Sequence, residues 1–326
     1  MYCFIKSKNT FETLSISAVF DYSIYLSIYD SVSTIIIKTP NALISAGDFV
    51  YIDGGIFFGV INSIEPDYGR TTLQCGQPVT LFSRNMFYTD QSFQYLEDYL
   101  AKLITDNFIN CSDPFYAIPY LSVQAMTHTT ATMKPDLDEN NIYSIMSYAS
   151  KMRRLYNIFL EWTISRNSIN VTIASRTMSQ KNIDFTNPSY KILTQDFSDS
   201  SISKITSYCV ENSQYQDWVL QNDGTITNTI SNTNRKYGEW VPLVVQNAAD
   251  VTDSVRDLFF QTEYSHNIEF SAYKRSGFSL YDRLLIKLNG SIFSSYISGI
   301  KFQKNSNAST ITCGELQTVY PFLNRL

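Results

Sequence analysis

The sequence predicts an α+β, β-rich chain, with two similar small β-barrel or sandwich domains at its ends flanking an α/β and a β middle domain. Three observations carry this expectation. The composition favours strands, a motif near the start recurs near the end, and the stretch between them holds three segments with helical spacing of apolar residues.

The composition comes first. The 326 residues are enough for about two to four domains with real cores. Aromatic residues make up 14%, with 23 Tyr and 21 Phe, while charged residues make up only 17%. Aromatic and β-branched side chains fit a pleated, half-buried surface, and Tyr and Phe also enrich subunit contacts. Hydrophobics at 44% exclude wholesale disorder. With 12 Gly and 9 Pro, both below the usual ~7% and ~5%, linker-rich and collagenous classes are excluded too. The net charge of −5 gives no bulk attraction for nucleic acid or anionic lipid, which argues against a DNA-reading protein.

The recurring motif fixes the two ends. Gly47 opens GDFVYIDGGIFFGVINSIE, followed by RTTLQCGQPVTLF; Tyr281 opens YDRLLIKLNGSIFSSYISGIK, followed by STITCGELQTVYPF. Asp48 matches Asp282 and Ile52 matches Ile286 at one offset, and Gly55 with Gly290, Phe57 with Phe293 and Cys75-Gly76 with Cys313-Gly314 follow as the offset grows by a few loop residues. Each copy reads as three strands. Val50 and Ile52, or Leu284 and Ile286, alternate on the first. A glycine turn follows at Asp53-Gly54-Gly55 or Asn289-Gly290, a hairpin signal. The second strand spans 56–64 or 292–300, and the third spans 71–75 or 309–313.

The middle has a different period. From Thr89 or Asp90, Phe93, Leu96, Leu100 and Leu103 share one helical face. A second helix starts near Asn141. Leu160, Trp162 and Ile164, then Ile169, Val171 and Ile173, alternate about an Arg166-Asn167-Ser168 turn and predict a hairpin. A turn at Asn222-Asp223-Gly224 closes a further hairpin, and Val251, Val255, Leu258 and Phe259 stripe a third helix. The expected domains are 1–88 (first barrel), 89–188 (two helices and a hairpin), 189–246 (a small β domain) and 247–326 (a helix and the second barrel).

Reactive residues are sparse. Cys3, Cys75, Cys111, Cys209 and Cys313 are odd in number, widely spaced and without a CxxC, so buried reduced thiols are expected rather than disulfides or a zinc ribbon. His128 and His266 have no metal-ligand partner at helical or hairpin spacing. There is no GxSxG, P-loop, GxGxxG, HExxH or EF-hand loop. The acid pairs Glu97-Asp98 and Asp138-Glu139 read as solvated surface, leaving open only a carboxylate dyad assembled across the fold. The expectation is no enzyme, no metal and no cofactor. The start, with Lys6 and Lys8 but no unbroken apolar run behind them, is not a secretory signal, and Ile35-Ile36-Ile37 is strand-sized rather than membrane-spanning. Synthesis in a cytoplasm is therefore expected, and sequons such as those at Asn170 and Asn289 read as polar strand or turn residues.

In this order of elements the chain resembles the tail hub proteins of long-tailed bacteriophages, the family shared by baseplate hubs of contractile phages and the N-terminal part of siphophage tail-associated proteins. The resemblance runs over essentially the whole chain. It rests on GDFVYIDGGIFFGVINSI, NIYSIMSYASKMRRLYNIFLEWTISRNSINVTI, WVLQNDGTIT and the terminal DVTDSVRDLFFQTEYSHNIEFSAY…LYDRLLIKLNGSIFSSYISGI…STITCGEL. It implies a homotrimeric ring at the virion tail tip, whose two barrels per chain adapt a six-fold tube to a three-fold tip. Implied partners are further copies of the chain, the distal tail protein, the tape-measure protein and a receptor-binding or spike protein. DNA passes in transit only, and mild acidity suits a conduit that does not retain phosphate. With about a dozen residues after Cys313-Gly314, no hydrolase or fibre module is expected to follow the second barrel. The candidate subunit-contact residues are Phe57, Phe58, Phe293 and Tyr296 on the paired second strands. Alternation puts Phe57 and Phe58 on opposite faces, so one of them is expected to point away from its own core. Two other readings stay open: a receptor- or glycan-binding tail component using exposed Tyr and Trp, and a tail-associated cell-wall hydrolase.

Overall fold

The computed structural model describes all residues except 29–30, 88–92, 112, 130–141, 166, 178–179, 198–201, 222–224, 230–238, 264–265 and 315–326. The expected turn at Asn222-Asp223-Gly224 and the pair Asp138-Glu139 lie outside the described residues. The chain divides into two compact units. One comprises Met1–Met178, Ala272–Leu280 and Gly299–Ile311; the other comprises Ser179–Ser271, Tyr281–Ser298 and Thr312–Leu326.

The first unit opens with a six-stranded barrel. Its strands are β1 (Tyr2–Lys6), β2 (Thr13–Ser27), β3 (Ser33–Lys38), β4 (Phe49–Ile52), β5 (Phe57–Asp67) and β6 (Arg70–Gly76). They pair in the order β1-β4-β5-β6-β3-β2, and β2 returns to β1, which closes the ring, while β5 runs on past the end of β4. Alternation places Cys3, Ile5, Ile24, Ile35, Ile37, Val50, Ile52, Phe57, Ile61, Leu73 and Cys75 in its core.

The rest of that unit is an α/β layer: β7 (Asn85–Phe87), α1 (Leu96–Ile104), β8 (Leu121–Ala125), β9 (Ile142–Ser144), α2 (Ile145–Tyr156), β10 (Ile158–Ile164) and β11 (Ile169–Ser175). The helix expected from Thr89 or Asp90 is described from Leu96, and it ends in a wider π turn at Thr105–Ile109. Ser144 caps α2 by accepting from the Ser147 amide at 3.1 Å, and Asn157 stops it in a left-handed conformation, φ 56°. The β10–β11 hairpin pairs Trp162 with Val171, as its alternation predicts. Sequence alternation did not reveal that β8 joins it in parallel, Val123 opposite Val171.

The second unit holds β12 (Gln180–Asp184), β13 (Lys191–Phe197), β14 (Ile202–Cys209), β15 (Gln214–Leu220), β16 (Ile226–Thr227), β17 (Glu239–Val245) and α3 (Val251–Glu263), then β18 (His266–Tyr273), β19 (Arg283–Leu288), β20 (Ser291–Gln303) and β21 (Ala308–Cys313), the last residues of β18 and β20 and the first of β21 being counted in the first unit. A four-stranded sheet β16-β15-β14-β17 packs Ile202, Ile205, Leu243 and Val245 against Val251, Val255 and Phe259 of α3. The strands of the recurring motif run in the order β19-β20-β21-β18-β13, matching β4-β5-β6-β3-β2. β12 departs from the pattern: it lies parallel to β19, whereas β1 lies antiparallel to β4.

Candidate functional site

The two copies of the motif agree at the level of single hydrogen bonds. Ile61 donates its amide to the Asp48 carbonyl at 2.8 Å and accepts from Gly47 at 2.7 Å; Ile297 donates to the Asp282 carbonyl at 3.0 Å and accepts from Tyr281 at 2.8 Å. Gly47 and Tyr281 both sit at positive φ, 90° and 69°, to deliver that amide. Ile52 faces Phe57 as Ile286 faces Phe293. The turn glycines Gly55 and Gly290 share the left-handed region at φ 70° and 81°, where a Cβ is disfavoured. The antiparallel strand pairs β2–β3 and β13–β18 match as well. Each has a register shift at one point, between Val19 and Asp21 and between Ile192 and Thr194, and Phe20 and Leu193 stand exposed there.

The candidate contact residues occupy the predicted strands. Phe57 and Phe58 do point to opposite faces: Phe57 enters the barrel core, and Phe58 stacks on Phe49 at 5.7 Å, against the α/β layer. Tyr296 turns outward from β20 but is buried, with Tyr281 stacked at 6.1 Å and Phe260 of α3 at 5.4 Å. Phe293 is half-buried, meeting the edge of His266 at 5.1 Å. The chain's own helical elements thus cover the outer face of the second strand at Phe58 and at Tyr296, while Ile292, on the same face of β20 as Tyr296, is 67% exposed.

Other exposed apolar side chains lie on other strands. Tyr2 pairs with Ala18 and Phe4 with Ile16 on the outside of β1 and β2, where Ile16 is 59% exposed. On the four-stranded sheet, the face turned away from α3 carries Trp240, Val244, Tyr208 and Tyr215. The Trp240 indole donates to Thr206 Oγ1 at 2.6 Å, and Tyr208 and Tyr215 lie 4.5 Å apart. The alternation of β1–β2 and β17 is visible in the sequence, but which face stays uncovered depends on helices far along the chain.

Beyond its closed ring, β2 makes one further ladder. Ser23–Ser27 pair antiparallel with Gly299–Gln303 of β20, all within the first unit, and the Lys304 ammonium caps the β2 bulge by donating to the carbonyls of Val19 (2.6 Å) and Phe20 (2.9 Å). This ladder joins the first copy of the motif to the last strands of the second.

Several buried polar groups are held by structural partners. Asp48 accepts from the amides of Lys8 (2.9 Å) and Ser45 (2.8 Å), and Asp282 accepts from Lys181 at 2.6 Å. Glu97, fully buried on the first turn of α1, accepts from Thr127 Oγ1, the Thr129 amide and Thr129 Oγ1. Its neighbour Asp98 pairs with His128 at 3.1 Å. The pair read as solvated surface therefore has one solvated member and one that pins a loop. His266 Nε2 lies 2.7 Å from Ser295 Oγ, and burial lowers its pKa to about 4. Burial pushes the Cys3 thiol up to about 12 and raises Cys75 and Cys313 as well, so these thiols stay protonated and unreactive. Among the described residues no three His, Cys, Asp or Glu side chains gather as metal ligands, and no helix is long and apolar enough to cross a membrane.

No family model and no curated protein matches the chain. Solved structures do. The tail protein from Neisseria meningitidis MC58 aligns over 96% of both chains with a TM-score of 0.59 at 12% identity. The prophage tail protein gp18 from Listeria monocytogenes EGD-e aligns over 98% of this chain and 96% of its own, with a TM-score of 0.59 at 12% identity. The 43 kDa tail protein of prophage MuSo2 from Shewanella oneidensis aligns over 97% and 98%, at 0.51 and 13%. The chain has the fold of these phage tail proteins over nearly all of its length.

Proposed function

We propose that the chain is the structural hub of a long-tailed phage or prophage tail tip: a homotrimeric ring, built from two barrels per chain, that adapts a six-fold tube to a three-fold tip and gates DNA passage. The observation that carries this reading is the repeat of 47–76 in 281–314, which shares the Ile61 and Ile297 backbone bonds and the Ile52–Phe57 and Ile286–Phe293 pairings, within a fold found over the full length of phage tail proteins. Two copies of one motif in each of three chains supply six similar positions, the symmetry match such an adaptor needs. In this reading the domains are those expected from the sequence, the function is mechanical rather than enzymatic, and the neighbours are the distal tail protein, the tape-measure protein and a receptor-binding or spike protein. Phe57, Phe58, Phe293 and Tyr296 then support the contact strands from beneath, and the exposed side chains beside them make the contacts. Native mass spectrometry of the purified chain, alone and with its distal tail protein, tests the reading: three copies per particle are expected, and a single chain at high concentration in both samples contradicts it.

The open face bearing Trp240, Tyr208 and Tyr215 favours a second reading, a glycan- or receptor-binding component, because fixed aromatic rings present flat apolar surfaces. Glycan-dependent binding of the isolated protein to host cells, lost on Trp240→Ala, is its test.

A further inference from the structure

The internal repeat says where a second copy would attach, and three residues there break the repeat. The joint inside one chain is the ladder of β2 on β20. Lys304 donates its amide to the Tyr22 carbonyl at 3.2 Å, so alternation turns the amides of Phe302 and Ile300 to β2 as well. In the repeat, β5 stands for β20 and β13 for β2. Past Ile61, β5 pairs among the described residues with β6 alone, and β13 pairs with β18 alone. Each of the two strands thus has an open edge at the place where its counterpart is joined.

Counting from the equivalent Ile61 and Ile297, Pro66 takes the place of Phe302 and Asp67 that of Gln303. Asp67 and Arg70 close a two-residue hairpin on each other, so the Pro66 nitrogen faces the open edge of β5, where it has no hydrogen to donate. On the other strand, the third residue after the shared register shift is Ser23 in β2 and Asp196 in β13. Ser23 faces Gln303 within the chain; the same geometry between copies sets Asp196 opposite Asp67, two exposed carboxylates. Proline and charge on an edge are the devices that keep strands from adding to it.

We propose that Pro66, with Asp67 facing Asp196, makes the two kinds of joint in the ring unequal. The joint inside each chain is a backbone ladder; the joint between the β5 edge of one copy and the β13 edge of the next lacks that ladder and is the weaker of the two. This rests on the ring reading above. The test measures, by native mass spectrometry across a dilution series, the concentration at which the trimer half-dissociates, for the wild type, Pro66→Val and Asp67→Asn, with circular dichroism to check that each is folded. Restoring a donor, or removing one of two opposed charges, is expected to lower that concentration about tenfold in each variant. A wild type that never exceeds one chain overturns the ring reading itself. A wild-type trimer whose dissociation neither variant tightens overturns the unequal-joint proposal and leaves the ring standing. A mixture of Asp67→Cys and Asp196→Cys chains locates the joint: a disulfide between different copies supports it, and a trimer with no cross-link counts against it.

Discussion

Ile61 and Ile297 make the same pair of backbone hydrogen bonds, each to an aspartate carbonyl and each from a residue at positive φ. A register this detailed ties two segments more than two hundred residues apart to one local design. It also makes the two copies internal controls for each other, which the expectations below exploit.

Glycines in the motif divide into two kinds. Gly290 has positive φ and open space around its missing Cβ, so Gly290→Val carries a backbone penalty of about 1–2 kcal/mol. At Gly59 a Cβ would lie 2.4 Å from the Gly76 carbonyl oxygen and 2.5 Å from the Phe57 ring. Gly59→Ala is therefore expected to cost more, about 3 kcal/mol, despite adding only a methyl group. Urea unfolding of both variants checks the order.

His266 sets an acid limit on stability. Burial holds its folded pKa at about 4, below the ordinary value of 6.5, so the unfolded chain binds the proton more readily. Its contribution is complete above pH 6.5 and is lost as pH falls from there through 4, in total on the order of 3 kcal/mol. His266→Gln is expected to flatten that part of the stability–pH curve, and a slope unchanged by the substitution would refute the assignment.

Glu97 is expected to be structural. Three donors converge on its buried carboxylate, and Glu97→Ala leaves two threonine hydroxyls and an amide unpaired, a loss of about 2–4 kcal/mol. Asp98→Ala, which removes only an exposed pairing with His128, should cost less than about 1 kcal/mol. Thermal melts of the two variants separate the roles.

The strongly local features of the fold were legible in the sequence. Asn289-Gly290 and Gly54-Gly55 mark hairpins because they must adopt positive φ, and Trp162 and Val171 alternate because one face of their sheet is buried. What alternation could not supply was the partner. β8 pairs with β11 across some fifty residues, β12 runs parallel to β19 across a hundred, and β2 serves three strands in turn along its fifteen residues. For the same reason alternation put Phe57 and Phe58 on opposite faces without saying which points outward, and gave no sign of the cover that α3 and the α/β layer supply over Tyr296 and Phe58.

Hydrogen exchange on the isolated chain compares the two open-and-joined positions directly. The Phe302 and Ile300 amides, turned to β2, are expected to exchange slowly; the Ile64 amide, at the equivalent position on the open β5 edge, is expected to exchange fast. Equal protection at Ile64 and Ile300 would mean that the first copy's edge is covered as well.

The central claim is a ring of six similar barrels from three chains. End-on cryo-electron microscopy of the assembled tail tip, with this chain located by a small tag, tests it most directly. The account predicts three-fold symmetry, with six barrel densities at near-equal angles and two in every chain. A ring with one barrel per chain, or this chain placed away from the tube axis, would contradict it.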